Sequence, residues 1–378
     1  MYPDCYEALF CLNTNLITAP ALPATELTIS CYFRMFEGCT SLATAPVLPA
    51  TSLAMQCYGS MFYGCTNLTT APELPATQLA HSCYNHMFAG CTSLTQAPGL
   101  PATVLDTGCY AAMFRECTSL TIAPELPATT LATECYQSMF SQCDSLTIPP
   151  ILPATTLARA CYQLMFSGCT SLTIAPILPV ATLAQSCYAQ MFQDCTNLTT
   201  APALPVTTLA DKCYRLMFYG CRSLKFSKTK TSTYVNEYRI PSGTATGTAT
   251  TDALDSMFLQ TGGSFTGTPS INTTYYTSNE LVYGLTIQVD DSEKDYIQIL
   301  SEVPSSITTN QTIRLRVRAL GSRTTVSYSN TGGTSVTREF ISSAEDGSYN
   351  DYDLIISNPT DFDTIQIKHS VLANPTPW

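Results

Sequence analysis

The sequence of 378 residues has little charge and few of the side chains that enzymes use for catalysis. Only 12% of the residues are charged, and the chain contains three histidines, His81, His86 and His369. No Ser/His/Asp set can be assembled from them, and neither a dinucleotide-binding Gly-x-Gly-x-x-Gly motif nor a phosphate-binding Gly-Lys-Ser/Thr motif is present. The sequence therefore predicts a protein that is not an enzyme and that needs no cofactor.

The sequence also lacks the features of a membrane or nucleic-acid-binding protein. No apolar run approaches the ~18 residues that a membrane-spanning helix requires. The segment Met1-Tyr2-Pro3-Asp4 has neither the basic residues nor the apolar core of a secretory signal. A net charge of −11 argues against nucleic acid or an anionic membrane surface as a partner. Because 45% of the residues are hydrophobic, the chain must nevertheless form a sizeable core.

Eighteen cysteines are present, and they recur at a constant interval. The dipeptide Cys-Tyr returns at the same spacing each time, at Cys5, Cys31, Cys57, Cys83, Cys109, Cys135, Cys161, Cys187 and Cys213. A second series keeps the same period, at Cys39, Cys65, Cys91, Cys117, Cys143, Cys169, Cys195 and Cys221. Such constancy is typical of a repeat protein, in which single units cannot bury their apolar face and stacked units share one core.

Each unit follows the pattern C-Y-x-x-M-F-x-x-C-T-x-L-T-x-A-P-x-L-P-A-T-x-L-x-x-x. The spacing of Cys31, Met35 and Cys39 by four residues predicts the apolar stripe of a helix over residues 28–38. The next residues predict a short strand that points Leu42 inward and ends at Pro46, because proline lacks a ladder donor. At ~4.8 Å per coil, nine coils would extend over ~40–45 Å.

The same pattern predicts buried, reduced thiols. No Cys-x-x-Cys is present, so no metal is expected. Along a helix, Cys31 and Cys39 would lie ~12 Å apart, beyond the ~7 Å limit for the Cα atoms of a disulfide. Equivalent cysteines of adjacent coils would lie on helices whose axes are ~8–10 Å apart. Disulfides between coils stay open as an alternative.

The segment from Cys31 to Leu42, C-Y-F-R-M-F-E-G-C-T-S-L, resembles the coil of the BspA-like leucine-rich repeats, I-G-x-x-A-F-x-x-C-x-x-L-x-x-I-x-I-P. The resemblance covers about residues 1–224. It departs from the family in its longer period, the interval from Cys31 to Cys57, and in Met-Phe for Ala-Phe. It implies an α/β leucine-rich-repeat-like solenoid, and a surface or adhesion protein of Bacteroides-type bacteria or a related phage protein.

Three domains are predicted: a solenoid over residues 1–224, a degenerate capping coil with an insertion over 225–279, and a β-sandwich over 280–378. One period after Met217-Phe218 the pair Met-Phe would fall at positions 243–244, and it returns instead at Met257-Phe258. Alternating residues and turn-forming separators in the last part of the chain predict an immunoglobulin-like sandwich. Its candidate strands are Leu281–Val289, Tyr296–Ser301, Gln311–Ala319, Thr324–Asn330, Ser335–Ile341, Tyr352–Ser357 and Thr364–His369.

Two columns of residues are candidates for ligand binding. The tyrosines Tyr58, Tyr84, Tyr110, Tyr136 and Tyr162 predict either a packing spine or a surface on which sugars or peptides stack. The residue before Leu-Pro varies between coils, and this second column includes Glu73, Glu125, Ile151 and Ile177, with Ile122, Ile148 and Ile174 close by. We expect this column to form an apolar binding strip or an interface with another copy.

Two functions from different classes fit these observations. The first is a non-catalytic binding or adhesion protein, extracellular or at the cell surface, which recognises a glycan or a protein ligand through the solenoid face. The second is a structural component of a phage virion, a fibre or a head or tail appendage involved in host attachment. Unpaired thiols favour the second, because virion proteins assemble in the reducing cytosol. Homo-oligomers or virion partners fit either hypothesis, and neither predicts a membrane span.

Overall fold

A computed structural model describes residues 2–178 and 182–278, together with the backbone of seven strands between residues 288 and 370. The chain divides into two compact units, Met1–Asn279 and Glu280–Trp378. None of the described residues lies in a helix. The helix predicted over residues 28–38, and over the equivalent residues of the other coils, is therefore wrong.

A ribbon of overlapping turns takes the place of each predicted helix, and we call residues 28–39 and their equivalents the turn ribbon. The N–H groups of Cys31, Phe33 and Met35 donate to the carbonyl oxygens three residues earlier, at N···O distances of 3.3, 3.0 and 3.2 Å. The N–H groups between them do not bond within the ribbon. Each ribbon thus satisfies about half of its own backbone donors.

Positive φ angles recur at every fourth residue of the ribbon. They are 50° at Ser30, 57° at Arg34 and 68° at Gly38, and these residues are the third residues of alternate turns, as in type II turns. The apolar pairs Cys-Tyr and Met-Phe also repeat every four residues, whereas a helix repeats every 3.6. The ribbon points two residues inward and the next two outward, and this geometry fits the pattern C-Y-x-x-M-F-x-x-C without drift.

The remaining N–H groups of the ribbon join each coil to the next. Those of Tyr32, Arg34 and Phe36 donate to carbonyl oxygens of the following coil, at N···O distances of 3.0, 2.9 and 2.9 Å. The same bonds recur in the later coils, and all of them donate toward the carboxyl-terminal neighbour. On the other side of the coil, the predicted strand is reduced to isolated parallel bridges, such as Thr18 with Thr44.

The core consists of the residue pairs that the ribbon points inward. Cys31, Tyr32, Met35 and Phe36 are at most 2% exposed, and Leu42 is fully buried, as its position in the pattern predicted. Tyrosine rings of adjacent coils stack with centroids 5.6–5.9 Å apart. The phenylalanine rings stack in the same way, at 5.5–6.3 Å. Two aromatic columns therefore run through the unit.

Adjacent turn ribbons are directly hydrogen bonded, so their spacing is that of paired strands and is smaller than that of packed helices. All 18 are nevertheless free thiols. The second series has a specific role: the Cys65 S–H donates to the Phe36 carbonyl at 3.1 Å, and later coils repeat this bond. Burial raises the pKa of Cys65 and Cys169 to about 12, so both thiols keep their donor proton at neutral pH.

The last turn ribbon follows an insertion. The Tyr214 N–H donates to the Ala253 carbonyl at 2.9 Å. In the regular coils the corresponding acceptor is nearer in the sequence, so the additional residues lie between these two ribbons. Beyond it, the Phe258 N–H donates to the Gly267 carbonyl at 2.9 Å. The Ser256 N–H donates to the Thr268 hydroxyl at 2.8 Å. These bonds close the carboxyl-terminal end of the stack.

The amino-terminal end differs from this closed end. The carbonyls of Cys5, Glu7 and Leu9 correspond to those that accept inter-coil bonds in the next coil. They accept no backbone hydrogen bond from residues 2–178 or 182–278.

The strands of the first unit belong to its last coils. They are β1 (Thr208–Leu209), β2 (Lys225–Ser227), β3 (Asn236–Arg239), β4 (Thr248–Ala249), β5 (Gly262–Gly263) and β6 (Thr274–Thr277). β1 pairs with β4 in parallel, and the other four form a sheet in the order β3-β6-β2-β5. The insertion is thus attached to the stack by sheet hydrogen bonds.

The structure describes seven strands in the second unit, and each overlaps a strand predicted from alternation. They are β7 (Gln288–Asp290), β8 (Tyr296–Ile299), β9 (Gln311–Arg318), β10 (Arg323–Asn330), β11 (Ser335–Ile341), β12 (Asn350–Ile356) and β13 (Phe362–Ser370). The sheets have the orders β11-β10-β13-β7 and β12-β9-β8, with only β13 and β7 parallel among these pairs. β8 and β9 pair with each other, whereas the immunoglobulin order separates the second and third strands. The prediction that these two sheets pack face to face as a sandwich concerns side chains that lie outside the described part of the chain.

Replacing Gly64 by valine should destabilise the solenoid. Gly64 has a φ of +68°, which costs a β-branched residue about 1–3 kcal/mol. The control is Gly99→Val, because a Cβ there meets nothing within 4 Å and its φ is not positive. We expect a lower urea midpoint for Gly64→Val only. Equal midpoints for the two variants would contradict the turn ribbon.

The buried thiols predict a loss of stability at alkaline pH. Unfolded thiols lose their protons near the ordinary pKa of 9.0, whereas those of Cys65 and Cys169 have a pKa of about 12. Above pH 9 the folded chain therefore binds more protons, and the free energy of unfolding falls as pH rises toward 12. Urea midpoints between pH 7 and 11, measured with reductant, test this. Cys5→Ser/Cys11→Ser is the control that should leave the pH dependence unchanged, since Cys5 is exposed and Cys11 half-buried.

Candidate binding surface

The five tyrosines considered as a stacking surface lie inside the solenoid. Tyr58, Tyr84, Tyr110, Tyr136 and Tyr162 are 0–1% exposed. Their rings stack on one another, and burial raises the pKa of the Tyr58 and Tyr110 hydroxyls above the usual value. A sugar or peptide cannot reach these rings. They form the packing spine, and the binding surface must lie elsewhere.

The other four candidates lie on the surface. The residue before Leu-Pro points outward, because the leucine that follows it points into the core, as Leu152 does at 3% exposure. Glu73 and Glu125 are exposed, and the side chains of Ile151 and Ile177 are 46% and 38% exposed. Since they occupy the same position in different coils, these residues form one row along the stack.

Three more isoleucines lie beside this row. Ile122 is 46% exposed, and Ile148 and Ile174 are half-buried. Ile122 and Ile148 form a parallel bridge, so their side chains stand next to each other in adjacent coils. Together with Ile151 and Ile177 they cover three successive coils. We call these five residues the isoleucine patch.

The isoleucine patch has defined limits along the stack. Glu125 occupies the row position just before Ile151, and it places a carboxylate at one margin. At the other margin, the inserted residues that precede the last turn ribbon lie over the coils. The Tyr238 hydroxyl donates to the Pro202 carbonyl at 3.3 Å, and the Ser242 N–H donates to the Leu204 carbonyl at 2.9 Å. The patch therefore ends at a carboxylate on one side and at the insertion on the other.

The turn-ribbon side of the solenoid carries polar side chains. His86 lies 2.6 Å from the Asn85 side-chain oxygen, and burial and then the charge of Arg115 lower its pKa. Arg115 pairs with Glu116 at 3.1 Å, whereas His81 is exposed. Within the described ranges, no three His, Cys, Asp or Glu side chains come together as metal ligands would. This side therefore offers polar contacts.

The lysines that follow the last regular coil were missed from the sequence, where they fall within the predicted capping coil over residues 225–279. Lys225 is in β2, and Lys228 and Lys230 lie over the rings of Phe265 and Tyr276. The close spacing of like charges, on a chain with few cations, was the signal that could have found them.

Coils of constant length, stacked in parallel around buried leucines, define the leucine-rich-repeat class of solenoid proteins. The family model for the BspA type leucine rich repeat region matches in six copies, over residues 10–147 and 82–225. These ranges cover more than half of the chain, and the chain belongs to the family of BspA-type leucine-rich-repeat proteins. No curated protein and no solved structure matches the chain.

At the level of the family, the repeats are those of non-catalytic binding and adhesion proteins that are generally associated with surfaces. In the part of the chain that the structure describes, no helix is long and apolar enough to cross a membrane.

The buried tyrosine column predicts that one hydroxyl is dispensable. The Tyr110 hydroxyl is buried and has no hydrogen-bond partner among the described residues. Tyr110→Phe keeps the ring and removes this group, so the free energy of unfolding should stay the same or rise by up to about 1 kcal/mol. Tyr238→Phe is the matched variant, and it should lose about 1 kcal/mol because it removes the bond to Pro202. Urea unfolding compares them, and a greater loss for Tyr110→Phe would contradict the assignment.

Proposed function

We propose that the chain is a binding protein displayed outside the cell, and that it recognises a protein ligand through the isoleucine patch. The observation that carries the proposal is the exposure of apolar side chains in three successive coils. A contiguous exposed apolar surface is typical of sites that bind other proteins. An uncharged glycan would instead be expected to use exposed aromatic rings, and the tyrosine column is buried.

The fold does not require isoleucine at these positions. The bridge position of Ile122 is threonine in the first coils, at Thr44 and Thr70. The row position of Ile151 is Glu73 in an earlier coil and is exposed there too. Since the coils stack equally well with these polar residues, the isoleucines are available for a role other than stability.

Substitution of the patch tests the proposal. We expect Ile151→Asp/Ile177→Asp to reduce binding of the purified chain to intact cells by about tenfold or more, because charge would be buried in an apolar contact. The matched control is Val47→Asp, since Val47 occupies the same row at 78% exposure but lies outside the patch. Binding is measured by flow cytometry on epithelial and bacterial cells.

Two treatments of the cells identify the kind of ligand. In about 150 mM NaCl, which screens purely ionic contacts, protease should abolish the binding, and periodate oxidation of glycans should leave it intact. Binding that survives protease and is lost with periodate overturns a protein ligand. Equal loss in Val47→Asp and in the double variant overturns the isoleucine patch as the site.

A virion component is the second candidate, and the free thiols favour it. Cys5 is exposed and unpaired, which is typical of proteins that assemble in a reducing compartment. As a virion fibre or appendage, the chain would use the isoleucine patch as a contact between copies. Light scattering then gives the mass of an oligomer for the wild type and of a monomer for Ile151→Asp/Ile177→Asp. A monomeric wild type contradicts this candidate.

A further inference from the structure

The cationic residues of the first unit are concentrated at its closing end. Residues 1–211 contain only three lysines and arginines. Residues 212–239 contain seven, which are Lys212, Arg215, Arg222, Lys225, Lys228, Lys230 and Arg239, and a single acidic residue, Glu237. This segment therefore has a net positive charge within a chain whose net charge is −11.

Most cations of the first unit that lie outside a group of four, described below, have a partner. The pairs are Arg34 with Glu37, Arg115 with Glu116, Arg159 with Glu134, and Arg215 with Asp255. Arg239 donates to the carbonyl oxygens of Pro241 and Gly243, at 2.8 and 3.1 Å. These cations serve the fold or balance a neighbouring carboxylate.

Four cations at the closing end differ from these. Arg222, Lys225, Lys228 and Lys230 are exposed, and none pairs with a carboxylate of the described residues. We call these four residues the basic strip. Four unpaired cations this close together in the sequence repel one another, and no ion pair of the described residues offsets this repulsion, so the strip points to a role in binding.

The lysines of the basic strip are held in place by groups that leave their charge intact. Lys225 begins β2, whose next residue, Phe226, is fully buried. The Lys228 ammonium lies 4.6 Å from the centroid of the Phe265 ring, and that of Lys230 lies 6.0 Å from the Tyr276 ring. An aromatic face attracts a cation without neutralising it. The charges are therefore arranged in advance for an anion.

The surroundings of the basic strip decide which anion it fits. The hydroxyl-bearing residues Thr229, Thr231, Ser232 and Thr233 are exposed between and beside the lysines. Alternating ammonium and hydroxyl groups complement a chain that itself alternates carboxylate or sulfate groups with hydroxyls. We propose that the basic strip is a binding site for an acidic polysaccharide.

Other polyanions fit the basic strip less well. Bases of single-stranded nucleic acid need free aromatic faces, and here ammonium groups lie over both rings. β2 lies between β6 and β5, so an acidic peptide finds no free strand edge there. A long duplex would meet the net negative charge of the rest of the chain.

The test measures binding of the full chain to polygalacturonate by biolayer interferometry, with the methyl-esterified, uncharged polymer as reference. We expect binding to the acidic polymer that weakens between about 20 and about 150 mM NaCl, and none to the ester. Lys225→Gln/Lys228→Gln/Lys230→Gln should lower the affinity about tenfold or more. Lys225→Arg/Lys228→Arg/Lys230→Arg should retain it.

A matched control separates the strip from net charge. Arg34→Gln/Arg115→Gln/Arg159→Gln removes the same number of charges from paired positions and should bind like the wild type. Circular dichroism verifies that each variant is folded. Absence of binding by the wild type, retention by the glutamine variant or equal loss in both charge-removal variants overturns the proposal. Tighter binding of polyglutamate, of a DNA oligonucleotide or of phosphatidylglycerol vesicles also overturns it, in favour of that ligand class.

Discussion

Each turn ribbon satisfies only half of its backbone N–H groups by itself, and the other half require the carbonyls of the next coil. An N–H group that is buried without a partner costs more than the bond contributes when it is made. This requirement fixes the register between adjacent ribbons, because the bonds from Tyr32, Arg34 and Phe36 form only if each ribbon lies directly against the next one. It also explains where the chain tolerates additional residues. The inserted residues lie beyond the last regular ribbon, where they form β3 and β4 and cover the side of the stack.

The sequence was sufficient to predict the stacked coils, their core residues and the strands of the second unit. It failed on the local structure of the coil. A spacing of four between Cys31, Met35 and Cys39 is close to the helical period, and one coil alone cannot distinguish the two. The distinguishing feature is that the inward residues come in adjacent pairs and that glycine recurs at Gly38, Gly64 and Gly90, where φ is positive. The cysteines follow the same logic. A small thiol fits the inward position, and in the second series it also donates to a carbonyl of the neighbouring coil.

The candidate surfaces could be found from the sequence only in part. Variation between coils located Ile151 and Ile177. Where equivalent residues differ between coils, the scaffold requires no particular side chain. The same reasoning could not separate buried from exposed tyrosines, since ring stacking inside the coil and stacking on a ligand require the same residue at the same interval. The basic strip was missed for another reason: its lysines are brought against Phe265 and Tyr276 by the insertion and the closing coil, where the repeat no longer relates one residue to another.

The hydrogen bonds between successive turn ribbons all point the same way, and this gives the ribbon side of the stack an electric polarity. Each peptide unit has a dipole of about 3.5 D, and aligned peptides add their dipoles, as they do in a helix. Here the carbonyls face the amino-terminal end, at Cys5, Glu7 and Leu9, and the N–H groups face the closing coil. The first end therefore carries partial negative charge and the second partial positive charge, the reverse of a helix. Lysine charge and backbone field have the same sign at the closing end, so an approaching anion is attracted by the side chains and by the stack behind them.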